Sequence, residues 1–257
     1  MSEFVRLTLD GEIATITLAR PQKLNALDAD MIAELQAYAD AIDRDGAVRC
    51  ALIVGEGKAF CAGGDVAAWG ALPAIEMWRS WTRAGHRAFD ALARLRVPLI
   101  AVLSGHALGG GLELAGTADF RIAEPQAKLG LPETGIAMVP GWSGTQRLVR
   151  RFGSRVIKRL ALTGEIVDAA RALELGLVDE LVPTGEAMGR ATTLVRAIAA
   201  RGPVAVAMTK QLINAAEGEE GEAAIESIAG ALAAFTLDGT EGVASFREKR
   251  PPRFVGR

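Results

Sequence analysis

Apolar and polar residues alternate along the first part of the chain. The alternation over residues 4–9 and 13–18 lies on either side of Asp10-Gly11, and this pattern predicts a β-hairpin. Beyond it the spacing of apolar residues changes to steps of three and four, which predicts one face of an α-helix. That face consists of Met31, Leu35, Tyr38 and Ile42.

Two short runs that are apolar throughout, 50–54 and 99–103, predict strands that are covered on both faces. Helical patterns lie between them, so the first half of the chain indicates βαβ units. From residue 143 onward the pattern is mostly helical. Its clearest apolar face, which we expect to be buried in part against neighbouring subunits, consists of Ile225, Ile228, Leu232 and Phe235. The pattern therefore predicts an α/β core followed by a helical region.

Composition narrows the class of protein. Of the 257 residues, 50% are hydrophobic and 23% charged, and the formal net charge is −2, which is typical of a globular domain and does not favour nucleic acid or an anionic membrane as a partner. Apolar runs such as 97–103 are too short to cross a bilayer, and the first residues do not resemble a signal peptide. Two cysteines make no disulfide framework, which favours a reducing, cytoplasmic location. With only two histidines, we expect no metal site.

Three glycine-containing segments, 57–66, 104–116 and 129–148, are interpreted as loops, and the first two follow predicted buried strands. Ligands of α/β proteins bind beyond the carboxyl ends of strands. The run Gly109-Gly110-Gly111 stands before "LELAG", where a helix would begin. Amide groups at such a point have no intrahelical acceptor, so two of these segments could direct two N–H donors at one oxygen, as in an oxyanion hole. The alternative is that the glycines only permit close packing of helix against strand.

Other glycine-based sites do not fit the sequence. It contains neither the G-x-G-x-x-G fingerprint of dinucleotide-binding folds nor the phosphate-binding P-loop motif. The "GWSGT" segment at 141–145 resembles a hydrolase nucleophile elbow, but no histidine follows it. Carboxylates are therefore the candidate acid/base groups. Glu113 lies among apolar neighbours and Glu133 lies between two glycines, and burial would raise the pKa of either group.

Six segments, in this order, resemble the crotonase superfamily, specifically enoyl-CoA hydratase. They are "ARPQKLNALD" (19–28), "GKAFCAGGDV" (57–66), "GHALGGGLELAGTADFRIA" (105–123), "AKLGLPETGIAMVPGWSGTQRL" (127–148), "ALTGEIVDAARALELGLVDELVP" (161–183) and "GTEGVASFREKRPPRF" (239–254). The match extends over essentially the whole chain, and the order of the segments makes it specific.

The resemblance implies a crotonase-like α/β spiral of ββα turns over residues 1–195, followed by a helical trimerisation region over 196–257 that completes the coenzyme A site. It implies a homotrimer or homohexamer that acts on acyl-CoA thioesters without a metal or redox cofactor. The implied reaction adds water across the C2–C3 double bond of a 2-enoyl-CoA, as in fatty acid β-oxidation.

The resemblance also implies roles for individual residues. The backbone N–H groups of Ala62 and Gly110 are the expected oxyanion-hole donors. Glu133 is expected to deliver a proton at C2 and Glu113 to activate water, although two close carboxyls titrate as a pair. The other expected substrate contacts are Lys23, Leu24, Ala26, Gly63, Gly64, Asp65, Val66, Gly109, Trp142 and Lys249.

Two other functions stay open at this point. An enoyl-CoA isomerase, or another crotonase-type reaction, would need one carboxylate, and a non-catalytic acyl-CoA-binding protein would need none. The pair Glu113 and Glu133 favours the hydratase. Trp142 and Ser143 depart from the small residues usual before "GTQRL", and a bulky Trp142 would reshape the acyl end of the site.

Overall fold

Ten strands and twelve α-helices account for most of the chain in the computed structural model, which describes residues 3–219 and 221–257. The strands are β1 (Val5–Asp10), β2 (Ile13–Leu18), β3 (Cys50–Gly55), β4 (Ala59–Cys61), β5 (Leu99–Leu103), β6 (His106–Leu108), β7 (Phe120–Ala123), β8 (Lys128–Gly130), β9 (Ile166–Asp168) and β10 (Glu180–Leu181). The predicted hairpin is confirmed, because β1 and β2 pair antiparallel from Val5 opposite Leu18 to Asp10 opposite Ile13.

The helices lie between and after the strands. They are α1 (Ala29–Arg44), α2 (Val66–Trp69), α3 (Ala74–Glu76), α4 (Arg83–Ala93), α5 (Gly110–Ala115), α6 (Arg147–Phe152), α7 (Ser154–Thr163), α8 (Ala169–Glu174), α9 (Ala187–Ala199), α10 (Pro203–Ala216), α11 (Gly221–Phe235) and α12 (Leu237–Glu248). A π-helical turn over Met77–Thr82 leads into α4, and a 3₁₀ turn covers Glu133–Ile136.

The strands form two sheets within the described residues. The larger has the order β1-β2-β3-β5-β7-β10 and is parallel from β2 onward. The smaller has the order β4-β6-β8-β9, and its first three strands are parallel. The chain passes three times from the larger sheet to the smaller and then into helical structure, by way of β3–β4, β5–β6 and β7–β8. This repeated ββα connection is the spiral that the resemblance implied.

Strands β4 and β6 lie within segments that the sequence analysis interprets as loops, so that interpretation is wrong for these residues. Each strand has only three residues, which is too short for an alternating pattern to be visible. Their pairing partners are distant in sequence, and the pairing rather than local propensity defines them.

Apolar residues cover both faces of the larger sheet, as the runs 50–54 and 99–103 predicted. On β3, Ala51 and Ile53 join the main core, to which helices α1 and α4 contribute Leu35 and Phe89. Cys50 and Leu52 point the other way into a second core, which α9 closes with Ala187, Ala191 and Val195. The parallel strands are thus buried on both sides, and their carboxyl ends are held rigidly.

The chain divides into two compact units, one up to Lys210 and one from Gln211. In the second unit, α11 contacts α12. The predicted regions 1–195 and 196–257 include residues 1, 2 and 220, which lie outside the described residues, and the boundary between these regions stays a prediction.

Candidate active site

The carboxyl ends of three neighbouring parallel strands meet at one edge of the smaller sheet. Strand β4 ends at Cys61, β6 at Leu108 and β8 at Gly130, and each is followed by a segment that carries predicted site residues. The first two segments touch, because a β-carbon on Gly63 would lie 3.0 Å from the carbonyl oxygen of Leu108 and 3.1 Å from the amide nitrogen of Gly110. The small sheet therefore gathers residues that are far apart in sequence.

Two backbone amides at this edge have no acceptor among the described residues. Gly110 is the first residue of α5, so its N–H group has no intrahelical partner. Gly64 pairs with Leu27 as an isolated bridge whose two hydrogen bonds use the carbonyl of Gly63 and the amide of Asp65, and this leaves the N–H of Gly64 unused. Two free donors on adjoining segments are what an oxyanion hole requires.

The structure contradicts the prediction of Ala62 as an oxyanion-hole donor. The N–H of Ala62 donates to the carbonyl oxygen of Leu24 at 3.0 Å and ties the two segments of the chain together. Because this donor is already used by the fold, the free amide of Gly64 takes its place in the candidate hole. Gly110 keeps the role that the sequence analysis expected for it.

Each glycine of the Gly109–Gly111 run has a different physical reason. Gly109 has φ of +55°, and a β-carbon there would lie 3.0 Å from Oε1 of Glu133. A β-carbon on Gly110 would lie 2.7 Å from the ring of Trp142. On Gly111 it would overlap the carbonyl oxygen of Cys61, well inside 3.0 Å. These contacts support the packing alternative that the sequence analysis left open, and the oxyanion hole at the amide of Gly110 stays a prediction.

Glu113 lies on α5 with only 2% of its surface exposed. Its Oε1 accepts hydrogen bonds from the amides of Trp142 at 2.7 Å and Gly144 at 2.6 Å. Burial raises the pKa of Glu113 to about 7, since it outweighs the two amide bonds, and the charge of Glu133 acts in the same direction. A carboxyl with this pKa exchanges protons near neutral pH, as an acid/base group must.

Glu133 begins the 3₁₀ turn that follows β8. Its Oε2 is buried and has no hydrogen-bond partner among the described residues, and its Oε1 lies beside Gly109. Burial raises the pKa of Glu133 as well. An unpartnered buried carboxyl oxygen is costly in a folded protein, so it indicates a place where a water or a substrate completes the site.

Comparison with known proteins shows the family of this chain. The model of the enoyl-CoA hydratase/isomerase family matches residues 8–257. The chain belongs to this family. The Bacillus subtilis protein YngF is 41% identical over 262 residues, covering all of both chains, and the crotonyl-CoA hydratase of Syntrophomonas wolfei is 35% identical over 99% of both. The crystal structure of an enoyl-CoA hydratase from Bacillus anthracis has a TM-score of 0.80 and 32% identity over 99% of this chain and 100% of that one.

In this member of the enoyl-CoA hydratase/isomerase family, the side chain of Asp65 supports the fold. It is buried, its Oδ2 pairs with Arg20 at 2.9 Å, and its Oδ1 caps α2 by accepting from the amide of Ala67. Burial alone would raise the pKa of Asp65, but the hydrogen bond from Arg20 and the charge of Lys23 lower it overall. The side chain of Asp65 is thus engaged in a structural ion pair, and its expected contact with the substrate stays a prediction.

The segment 19–28, which contains the expected coenzyme A contacts Lys23, Leu24 and Ala26, is held in place by hydrogen bonds. Buried Asn25 donates to the carbonyl oxygens of Glu56 at 2.9 Å and Ala59 at 2.8 Å. The carbonyl oxygens of Lys23, Leu24 and Ala26 each accept one hydrogen bond within the chain. Each of these oxygens has a second lone pair, so the carbonyls can still accept a bond from an adenine.

The remaining predicted residues lie in different surroundings. The side chain of Val66 is exposed at the start of α2, whereas Trp142 is buried among aromatic rings. Lys249 is exposed at the end of α12, in the unit that begins at Gln211, and has φ of +52°. Next to it, Arg250 already pairs with Glu241 at 2.5 Å and with Glu248 at 2.6 Å. This pairing reduces the charge that the tail can offer to phosphates.

The sequence analysis did not find one group of contacts that surrounds Glu113. Ser143, between the two amides that hold the carboxyl, has φ of +82°, and its Oγ lies 3.1 Å from Nδ1 of His86 on α4. Burial lowers the pKa of His86, so the ring is neutral at neutral pH. No sequence spacing connects these two residues, and only the unusual Ser143 in "GWSGT" could have drawn attention to the contact.

No group of three or more His, Cys, Asp or Glu side chains among the described residues could hold a metal ion. No helix in the described part of the chain is long and apolar enough to span a membrane.

Proposed function

We propose that this protein is an enoyl-CoA hydratase that adds water across the C2–C3 double bond of 2-enoyl-CoA thioesters to give 3-hydroxyacyl-CoA. The observation that carries the proposal is the pair of carboxyls with raised pKa, Glu113 and Glu133, next to the two free amides of Gly64 and Gly110. Acid/base groups and an oxyanion hole at one strand edge are the parts that this reaction needs.

The reaction follows from these four groups. The thioester oxygen accepts hydrogen bonds from the amides of Gly64 and Gly110, which stabilise the enolate as it forms. Glu113 takes a proton from a water molecule whose oxygen bonds to C3. The electron pair of the double bond moves toward the carbonyl, and protonated Glu133 gives its proton to C2. The net change is the addition of one water, and the two carboxyls share one proton between them as a coupled pair.

An isomerase is the second candidate. Moving a double bond from C3–C4 to C2–C3 requires one carboxyl that takes a proton from C2 and returns it at C4, and the family name includes this activity. The second buried carboxyl would then have no role, although its burial is energetically costly. A non-catalytic acyl-CoA-binding protein would leave both raised pKa values unexplained. The hydratase accounts for more of the site than either alternative.

The decisive experiment follows the absorbance of the conjugated thioester when the protein is mixed with crotonyl-CoA. We expect the band to disappear and 3-hydroxybutyryl-CoA to be detected by mass spectrometry. If 3-butenoyl-CoA is converted to crotonyl-CoA while crotonyl-CoA itself is not hydrated, the isomerase replaces the hydratase. Binding of crotonyl-CoA without any conversion would support the non-catalytic alternative.

We further propose that coenzyme A is held by the backbone carbonyls of Lys23, Leu24 and Ala26, and that no metal or redox cofactor takes part. The apolar side chains of Ile225, Leu232 and Phe235 are largely exposed in the single chain, which supports assembly into a homotrimer or homohexamer. Cys50 and Cys61 are free thiols, which supports a reducing location such as the cytoplasm.

A further inference from the structure

The six-membered ring of Trp142 lies against both amide donors of the candidate oxyanion hole. A β-carbon on Gly110 would lie 2.7 Å from Cζ3 and 2.8 Å from Cε3 of that ring. A β-carbon on Gly64 would lie 3.2 Å from its Cη2. The indole therefore covers the two glycines on the side where their side chains would be.

The indole is fixed in this position by its other contacts. Its five-membered ring rests on Gly85 of α4, where a β-carbon would overlap Nε1 and Cδ1. Its ring centroid lies 5.2 Å from that of Trp81 and 5.3 Å from that of Phe89. Only 3% of Trp142 is exposed. Such close packing means that the ring does not leave its place without disturbing α4 and the turn before it.

Two more indoles extend the same surface. A β-carbon on Gly64 would lie 3.0 Å from Cζ2 of Trp81 and 3.3 Å from Cδ1 of Trp69. The three rings, Trp69, Trp81 and Trp142, form what we call the indole wall. It is apolar and faces the glycine that carries one of the two free amides.

We infer that Trp142 determines the acyl specificity of the proposed hydratase and restricts it to short 2-enoyl groups of about four carbons, an inference that rests on the proposed function. The thioester oxygen must approach Gly64 and Gly110, which places the acyl carbons next to the indole wall. Trp142 packs against both glycines and is almost fully buried, so a chain that extends on this side meets the indole. Additional methylenes must displace the ring, and the cost of one misfitting methylene is typically 10- to 200-fold in kcat/KM.

The test compares kcat/KM for crotonyl-CoA and 2-octenoyl-CoA in the wild-type protein and in Trp142→Ala. We expect the wild type to prefer crotonyl-CoA by at least about tenfold, and the variant to shift the ratio toward 2-octenoyl-CoA by a further tenfold or more. Trp142→Phe, with a smaller ring, should give an intermediate ratio. Trp78→Ala removes an indole that is 58% exposed and should leave the ratio unchanged. Equal rates for both substrates in the wild type, or an unchanged ratio in Trp142→Ala, would overturn the inference.

A binding measurement separates this inference from the proposed reaction. Isothermal titration calorimetry with butyryl-CoA and octanoyl-CoA measures how the indole wall affects binding affinity. These ligands are saturated, so they cannot be hydrated. Suppose that the wild type does not hydrate crotonyl-CoA, but Trp142→Ala still gains at least tenfold in affinity for octanoyl-CoA relative to butyryl-CoA. The proposed hydration is then wrong, and the inference that Trp142 restricts acyl length is supported. If hydration occurs and the relative affinities stay the same in a folded Trp142→Ala or Trp142→Phe, the role of Trp142 in acyl specificity is wrong, whereas the proposed hydration is supported.

Discussion

The α-carbon of Gly111 lies against the carbonyl oxygen of Cys61, so closely that a β-carbon on Gly111 would overlap it. This contact presses the first turn of α5 onto the end of β4. Gly110 directly precedes Gly111, and Gly64 lies three residues after Cys61, so this contact contributes to the separation of the two free amides. Gly111 therefore acts on the site through the packing of the backbone and does not need to touch a substrate.

We predict that Gly111→Ala destabilises the protein by about 1–3 kcal/mol, the usual cost of overpacking a tight contact. Urea unfolding followed by circular dichroism measures this free energy. Gly189→Ala on α9 is the matched control, because a β-carbon there would meet no neighbouring atom within 4 Å. It should stabilise the protein by roughly 0.4–1 kcal/mol. Equal stability of the two variants would contradict the packing role of Gly111.

The carboxyl pair is tested by Glu113→Gln and Glu133→Gln. Glutamine keeps an oxygen that can accept the amide bonds of Trp142 and Gly144, but it does not exchange protons. Each variant should lose about 100- to 10,000-fold in kcat for crotonyl-CoA hydration with little change in KM. The double variant should be far less than multiplicatively worse, since the two groups act together. Normal hydration by Glu113→Gln with an inactive Glu133→Gln would favour a one-carboxyl reaction.

The raised pKa of Glu113 predicts how stability depends on pH. Between its ordinary pKa of about 4.5 and its folded value of about 7, the folded protein keeps a proton that the unfolded chain has lost. The contribution of this group to stability is therefore full below about pH 4.5 and is lost as the pH rises through about 7. Glu113→Gln removes this effect, so its Tm relative to wild type should rise over that interval and then level off. A constant difference in Tm from pH 4 to 8 would contradict the assignment.

Ser143 combines an unfavourable backbone conformation with a favourable hydrogen bond. At φ of +82°, a residue with a β-carbon is strained, and the contact with Nδ1 of His86 offsets part of that cost. Ser143→Ala keeps the strain and loses the bond, so we expect a loss of about 1 kcal/mol in thermal unfolding. Ser143→Gly loses the bond but relieves the strain and should stay near wild type. If alanine is tolerated as well as glycine, the backbone at this position is not strained.

The proposed oligomeric state is tested by measuring the molar mass of the protein in solution. Light scattering at micromolar concentration should give a trimer or hexamer, because the apolar face of α11 includes Phe235, which is 91% exposed in the single chain. The double substitution Leu232→Glu with Phe235→Glu should lower the mass to that of a monomer. Ala223→Glu, on the opposite side of the same helix, should leave it unchanged. A wild-type protein that is monomeric under these conditions would rule out the proposed interface.

Features that depend on neighbouring residues could be predicted from the sequence. The alternation on either side of Asp10-Gly11 predicts the hairpin because both strands are local, and the continuous run 50–54 predicts a buried strand. Glu113 and Glu133 were found partly from their apolar and glycine-rich surroundings. Contacts between distant segments could not be found in this way. The acceptor for the N–H of Ala62 is the carbonyl oxygen of Leu24, and no local pattern shows that this donor is already used.

The packing position of the Trp142 side chain could not be predicted for the same reason. In the structure, Gly85 leaves the space into which the indole fits, and no local pattern in the sequence indicates this contact. Likewise, the three-residue strands β4, β6 and β8 are defined by pairing with one another, and they align the three segments that form the site.

Trp142 contacts Glu113 through its main chain and the oxyanion glycines through its side chain. Every amino acid except proline supplies the same amide, so the residue at this position can be exchanged without removing the hydrogen bond that holds the carboxyl. In the function that we propose, substrate choice depends on the side chain of this residue and acid/base chemistry on its main chain. A single substitution here would then change the acyl preference while the main-chain hydrogen bond to Glu113 is kept.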